Sequence, residues 1–133
     1  MLLRNHISKR FSVLKNLPHR DFRAAVVLSG CGVADGSEIT EAVSLLIALS
    51  KHGARYMCFA PNRPQMHVVN HINGTPTQDK RNILEESARI ARGVIKDIKD
   101  LDASHYDAVF LPGGFGAAKN LSDFAVKGPD MTV

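Results

Sequence analysis

The chain has 133 residues, of which 44% are hydrophobic, 23% charged and 6% aromatic, a balance typical of one globular domain rather than a disordered chain or a disulfide scaffold. The net charge of +4 arises within the first twenty residues, which leaves a nearly neutral body and argues against nucleic-acid binding. No apolar run approaches the roughly 18 residues that a membrane-spanning helix needs, which excludes an integral membrane protein.

Residues 1–22 are predicted to be a mitochondrial presequence. The first twenty residues hold five Lys or Arg and no Asp or Glu, and Leu3, Ile7, Phe11 and Leu14 recur at helical spacing. The alternative is a basic arm that stays attached and docks on a partner. The presequence interpretation predicts delivery to the mitochondrial matrix and removal of this segment.

Residues 23–133 are predicted to form one α/β domain, because apolar runs alternate with helical periods as in βαβ units with a parallel sheet. The predicted strands are 24–28, 54–60 and 106–111, and the predicted helices are 37–52, 80–92 and 117–126. Residues 65–72 are expected to be extended before a turn at 73–76, and residues 94–105 are mixed. The first helix is apolar over most of its surface, so we expect it to be sandwiched within a larger body.

The first candidate site is the glycine-containing loop after the first strand, with Gly30, Gly32 and Gly36. Glycines at a strand end allow a ligand to approach the backbone, and the following helix N-terminus favours an anion. As a dinucleotide fingerprint the pattern is weak, because the second strand is not followed by an acidic ribose ligand and only Arg63 remains for a 2′-phosphate. A tight turn without a ligand is the structural alternative.

The second candidate site is the pair Glu38 and Glu41 at the start of the first helix. A carboxylate at this position is stabilised by the helix dipole, which is a sufficient explanation for Glu38. Glu41 lies further into an apolar helix, where we expect it to be partly buried and hence partnered or functional in proton transfer.

The third candidate site is the segment Pro112–Gly116 between a strand and a helix. Adjacent glycines such as Gly113 and Gly114 can turn their backbone N–H groups into a cavity, which is how an oxyanion hole is built. A plain strand-to-helix turn is the alternative.

Other reactive side chains are predicted to be structural. Cys31 has no histidine placed beside it, and Cys58 falls within a buried strand. His67 and His71 are about 13 Å apart along an extended segment, too far for one metal ion, and we expect both to form hydrogen bonds in a loop. The group of Arg81, Arg89 and Arg92 is expected to be a solvated helix face, and the alternative is a partner interface. A Glu85–Arg89 pair is predicted on the same helix.

Together these motifs resemble the class I glutamine amidotransferase-like proteins of the PfpI/ThiJ superfamily. Within that superfamily they look most like vertebrate mitochondrial amidotransferase-like proteins and bacterial enhancing-lycopene-biosynthesis proteins with glyoxalase activity. The matching segments are Leu28–Val33, Asp35–Glu38, Pro64–His71, Arg81–Gly93 and Pro112–Leu121.

The resemblance implies a flavodoxin-like three-layer sandwich with a parallel sheet. It also implies a site in which Glu41 handles a proton and the Gly114 amide stabilises an oxyanion, beside a cysteine nucleophile on a strand-to-helix elbow. The 133 residues contain no counterpart of that elbow. We therefore expect the chain to be the N-terminal portion of the domain and inactive by itself.

The full-length form is expected to act on a small carbonyl or amide metabolite without a cofactor or a metal. Nucleic acid and membrane are not expected as partners, whereas a homo-oligomer is. The alternatives are a non-catalytic binding or scaffold protein and, less favoured, an NADP-binding Rossmann-type module.

Overall fold

A computed structural model describes residues 21–132 of the chain. The predicted presequence, residues 1–22, lies outside this range apart from its last two residues. No helix among residues 21–132 is long and apolar enough to cross a membrane.

A parallel sheet forms the centre of the domain. Its strands are β1 (Arg23–Val27), β2 (Arg55–Ala60), β5 (Ile95–Asp97) and β6 (Ala108–Phe110), in the order β5-β2-β1-β6. A separate antiparallel hairpin consists of β3 (Val69–Asn70) and β4 (Thr75–Pro76). The apolar runs that predicted the strands fill β1 and the second half of β2, which are buried because both faces of the sheet are covered there.

Three α-helices and several tighter turns lie between and after the strands of the described region. The helices are α1 (Ile39–Lys51), α2 (Ile83–Ala91) and α3 (Phe124–Lys127), with a π-helical turn at Ala117–Leu121 and 3₁₀ turns at Ile98–Asp100, Ala103–His105 and Gly128–Asp130. The prediction of one continuous helix over 117–126 is wrong, because the chain leaves the helical conformation at Ser122 between the π-helical turn and α3.

Glu38 is the N-cap of α1, and its side chain accepts a hydrogen bond from the Glu41 N–H at 2.7 Å. Two other polar residues just before the helix, Asp35 and Ser37, do not cap it. The Ser37 hydroxyl accepts from the Ser29 N–H, and the Asp35 carboxylate accepts from the Val69 N–H. Both side chains are therefore committed to other contacts before the helix begins.

The two faces of the sheet have different covers. On one face α1 and α2 pack over the sheet around a core of Ala24, Val26, Leu28, Ala42, Leu46, Leu49, Cys58, Ala60, Ile83 and Ile90. On the other face Ala25, Val27 and Phe59 are covered by Met57, Ile98, Leu101, Tyr106 and Leu121, which belong mainly to short turns. The structure thus confirms an α/β fold with a parallel sheet flanked by helical segments.

The outer flank of α1 is exposed, although the sequence predicted that this helix is sandwiched within a larger body. Ile39, Val43 and Ile47 lie four residues apart on α1, and each is more than a third exposed among the described residues. The apolar surface of the helix is therefore wider than the face that the described sheet buries.

The ion pairs of α2 differ from the one predicted. Glu86 is buried, and its carboxylate pairs with Arg89 at 2.9 Å and with Arg81 at 3.6 Å. The predicted Glu85–Arg89 pair is wrong, since Arg89 turns toward the buried carboxylate one residue further along.

Candidate functional site

The loops that follow β1 and β6 meet at one edge of the sheet, because these strands are paired and parallel. Their backbones are joined by hydrogen bonds from Glu38 N–H to the Gly113 carbonyl at 2.7 Å and from Gly116 N–H to the Gly36 carbonyl at 2.9 Å. The carboxyl ends of parallel strands are where open α/β sheets bind ligands. The second and third candidate sites therefore form a single surface site.

Glu41 reaches from α1 to this loop and accepts the Gly113 N–H at 2.7 Å on its Oε2 atom. This is the Glu41–Gly113 contact. The Glu41 residue itself is exposed, so the expectation that it is partly buried is wrong. Its contact with a backbone amide nevertheless fixes the carboxylate beside the glycine pair and leaves it open to solvent.

Gly114 is required by the close approach of the backbone that leads into α1, and a side chain at Gly113 would displace the Glu41 carboxylate. A Cβ atom at Gly113 would collide with the Glu41 carboxylate, and one at Gly114 would collide with the Gly36 carbonyl and the Glu38 nitrogen. Gly114 also has a φ of 103°, which side chains rarely tolerate. The Gly113 N–H is used by Glu41, whereas the Gly114 N–H donates to no acceptor within residues 21–132.

Glu38 lies next to this contact but performs a different task. Its carboxylate caps α1, and the hydrogen bond from the Glu41 N–H lowers the pKa of the Glu38 side chain below its ordinary value. Its charge is therefore explained by helix capping, as the sequence suggested.

The glycine loop after β1 uses its donors internally. The Gly30 N–H donates to the Ser87 hydroxyl at 2.9 Å, and the Gly32 N–H donates to the Ser37 carbonyl at 2.9 Å. In this conformation neither amide is directed to a ligand. A role of Gly30 and Gly32 in anion binding stays a prediction.

Arg63, considered for a 2′-phosphate, donates from its guanidinium to the Asn120 carbonyl at 2.6 Å. The residue is exposed, but this contact ties it to the π-helical turn. The geometry thus gives Arg63 a structural role in joining two segments.

The two cysteines are not arranged as nucleophiles. Burial, followed by the negative charge of Glu86, raises the pKa of the Cys31 thiol above its ordinary value. Burial alone raises the pKa of Cys58 to about 11. Both thiols are therefore protonated at neutral pH, which is the opposite of what an activated cysteine requires.

The two histidines of the hairpin region behave differently from each other. His71 accepts the Ala34 N–H on Nε2 at 3.2 Å, and its Nδ1 lies 3.0 Å from the Val69 carbonyl, which confirms a hydrogen-bonding role. The Nδ1 atom of His67 is buried and has no partner among the described residues, contrary to the prediction. Between residues 21 and 132, no three His, Cys, Asp or Glu side chains form a group that could hold a metal ion.

Asn120 is a site residue that the sequence reasoning did not single out. Its buried side-chain amide donates to the Ser29 and Asp35 carbonyls, both at 2.8 Å, and accepts the Met66 N–H at 3.0 Å. It therefore ties the loop after β1 to the segment that follows the β6 loop. The only signal in the sequence is an Asn inside a predicted helix, where it is a poor helix former.

Known proteins are similar to this chain in both sequence and fold. The chain is 54% identical over 127 residues to the human glutamine amidotransferase-like class 1 domain-containing protein 3, mitochondrial, and 53% identical to the rat ES1 protein homolog, mitochondrial. A crystal structure of an isoprenoid biosynthesis protein with amidotransferase-like domain from Ehrlichia chaffeensis superposes with a TM-score of 0.79 at 43% identity, covering 84% of this chain and 53% of that one. In sequence and in fold, the chain is similar to the glutamine amidotransferase-like class 1 proteins. No protein-family model matches it.

The match covers 95% of this chain but 47% of the human and 48% of the rat protein. The chain therefore spans about half the length of the curated amidotransferase-like relatives that it matches. The zebrafish ES1 protein, mitochondrial, is 47% identical over 111 residues. The names of the human, rat and zebrafish relatives confirm the predicted mitochondrial localisation, whereas cleavage of a presequence and delivery to the matrix stay predictions.

Proposed function

We propose that the chain supplies two parts of a site for a small carbonyl or amide metabolite of the glyoxal or glutamine type. Glu41 would move the proton, and the Gly114 N–H would hold the oxygen that becomes negative when the carbonyl carbon is attacked. The observation that carries the proposal is the 2.7 Å Glu41–Gly113 contact, which sets the carboxylate beside the glycine pair.

The chemistry needs a nucleophile, and the proposal assigns it to a cysteine outside these 133 residues. Its thiolate would bond to the carbonyl carbon while the C=O electron pair moves to the oxygen beside Gly114. Cys31 and Cys58 do not meet this requirement, because burial raises the pKa of each. We therefore expect the chain alone to be inactive.

The test is a chimera in which residues 21–132 replace the matching segment of the human relative. We expect the chimera to turn over glyoxal or glutamine and the 133-residue chain to turn over neither. In the chimera, Glu41→Gln should lower kcat/KM by about 100-fold or more, because it keeps the shape of the side chain and removes proton transfer.

Glu85→Gln is the matched control, since Glu85 is an exposed carboxylate of α2 that takes no part in the Glu41–Gly113 contact. It should leave kcat/KM unchanged. A folded chimera that turns over neither compound, or an unchanged kcat/KM after Glu41→Gln, contradicts the proposal.

A non-catalytic binding or scaffold role is the second candidate. It is favoured by the protonated state of both cysteines at neutral pH, which leaves the described site with an acid–base group and no nucleophile. The same chimera separates the two functions, because a scaffold protein predicts no dependence of any turnover on Glu41.

A further inference from the structure

A second concave surface lies away from the candidate site, between the C-terminal halves of α1 and α2. It is an open groove of about 750 Å³ above the first residues of β2. We call it the α1–α2 groove. The candidate site lies at the opposite end of the sheet, since the helices run back from the carboxyl edge of the strands to their amino edge.

Most of the groove is apolar and accessible. Leu46 and Ile90 line it next to the core, Val43 and Ile47 line it on α1, and Val94 lines it beyond α2. Ile47 is 49% exposed and Val94 is 65% exposed, so this apolar surface is open among the described residues. Contiguous exposed apolar surface of this kind is typical of a binding site rather than of an ordinary protein surface.

One end of the groove is cationic. Lys51 is the last residue of α1, Arg92 is the C-cap of α2, and both line the groove. No carboxylate among residues 21–132 forms an ion pair with either side chain. Their charges are therefore available to a ligand.

The backbone carbonyls at these two helix ends do not need the two side chains as hydrogen-bond donors, and the helix dipole favours a cation at each end. The Ala48 and Leu49 carbonyls of α1 accept the N–H groups of His52 and Ala54 at 3.0 and 2.9 Å, and the last carbonyl of α2 is likewise satisfied by its own chain. Arg92 also holds a φ of 54°, a left-handed conformation that is strained for a non-glycine residue.

We propose that the α1–α2 groove binds an aliphatic carboxylate, with the hydrocarbon chain against the apolar wall and the carboxylate on Lys51 and Arg92. An apolar groove with positive charge at one end is complementary to a molecule that has an apolar chain and a negatively charged group at one end. This inference does not depend on the proposed carbonyl chemistry.

The test uses the 133-residue chain and decanoate, with decanol as the uncharged probe. Calorimetric titration should give saturable decanoate binding that is about tenfold tighter than decanol binding, because a charge-assisted contact is lost in the alcohol. Backbone amide resonances of residues 43–51 and 90–94 should shift, whereas those of residues 112–116 should not. Ile47→Glu should abolish decanoate binding.

The charge contribution is tested with the double variant Lys51→Gln, Arg92→Gly, in which glycine suits the positive φ of position 92. It should lose the preference for decanoate over decanol. Lys96→Gln is the matched control, since Lys96 is exposed on β5 and pairs in register with Phe59 on the opposite face of the sheet. Circular dichroism of each variant checks that it is folded.

Several results would overturn the proposal. They are the absence of saturable binding, equal affinity for decanoate and decanol, and an equal loss of affinity in Lys96→Gln. A dimer measured by light scattering that Ile47→Glu converts to a monomer would also overturn it, because a second copy would then occupy the groove.

Discussion

Asn120 donates its side-chain amide to the carbonyl oxygen of Asp35 at 2.8 Å, across 85 residues of sequence. The same amide nitrogen also donates to the Ser29 carbonyl, and Oδ1 accepts the Met66 N–H. The buried side chain thus satisfies backbone groups of two different segments. Because Glu38 and Glu41 begin the helix that follows this loop, Asn120 also fixes the approach of α1 to Gly113.

The first prediction concerns the stability that Asn120 provides. Asn120→Ala should lower the free energy of unfolding by about 3 kcal/mol, because it removes all three hydrogen bonds of a buried side chain, and only the Asp35 carbonyl keeps a second donor, the Gln65 amide. Urea unfolding of the two proteins measures the difference. Asn70→Ala is the control, since its exposed side chain accepts one local hydrogen bond, and its cost should be below about 1 kcal/mol. Equal losses in both variants would contradict the assigned role of Asn120.

The reactivity of Cys31 provides the second prediction. Burial and then the Glu86 carboxylate raise the pKa of the Cys31 thiol, so Glu86→Gln should lower that pKa and enlarge the thiolate fraction. Alkylation of Cys31 by iodoacetamide at pH 8, followed by mass spectrometry, should become faster. In Glu85→Gln the rate should match that of the unmodified protein. A slower or unchanged rate in Glu86→Gln would show that the carboxylate does not influence the thiol.

The strand β1, the end of α1 and the buried Glu86 illustrate what the sequence could and could not predict. Valine-rich β1 and the glycine stop of α1 were predictable, since apolar runs and caps act locally. Burial of Glu86 could not be predicted, because it depends on Arg81 from the preceding loop as well as on Arg89 of the same helix. A tertiary ion pair of this kind leaves no periodic pattern in the sequence.

The candidate site shows the same division. The Pro-Gly-Gly segment after β6 and the two glutamates of α1 could be recognised by residue type, and the parallel pairing of β1 with β6 brings them together. The exposure of Glu41 could not be predicted, because the face that a helix buries depends on how far the sheet extends beneath it. The π-helical turn at Ala117–Leu121 was also missed, since it adapts to the contacts of Asn120 rather than to a local propensity.

The third prediction is a pH dependence of stability that arises from Cys58. Burial raises the pKa of this thiol to about 11 from the ordinary value of 9.0. A raised folded-state pKa means that the stabilising contribution is complete below pH 9 and is lost as the pH rises toward 11. The loss from this group should be roughly 2 kcal/mol.

The measurement is urea unfolding of the unmodified protein and Cys58→Ala at pH 8 and pH 10.5. Other groups titrate in this range, so the quantity compared is the change with pH in each protein. Cys58→Ala should be less stable at pH 8 because a buried side chain is shortened, but it should lose less stability on going to pH 10.5. Equal losses in the two proteins would contradict the assignment to Cys58.

The fourth prediction concerns targeting. Residues 1–25 fused to a fluorescent reporter should direct it to the mitochondrial matrix and be clipped, because the first twenty residues are basic, free of acids and amphipathic. Replacing Arg4, Arg10 and Lys15 by Glu should abolish import. An uncleaved reporter in the cytosol would contradict the presequence and favour an arm that stays attached.

The last prediction concerns β6, which is an edge strand of the sheet in the described part of the chain. The register with β1 places Val109 on the face of the sheet that is covered only by short turns. Val109 is 42% exposed, and Leu111, which lies just beyond the strand, is 59% exposed. An open strand edge with apolar side chains is a site where another chain can pair. Residues 21–133 by themselves should therefore aggregate on warming and melt below about 55 °C, in the lower part of the mesophile range.

Val109→Lys should slow the growth of light scattering without lowering the melting temperature, because a charge at an edge opposes strand pairing. Lys99→Gln, a change at an exposed residue away from this edge, serves as the control. If residues 21–133 remain a clear monomeric solution and unfold cooperatively above about 55 °C, the edge of β6 is not an aggregation site and the described fold is stable without further cover.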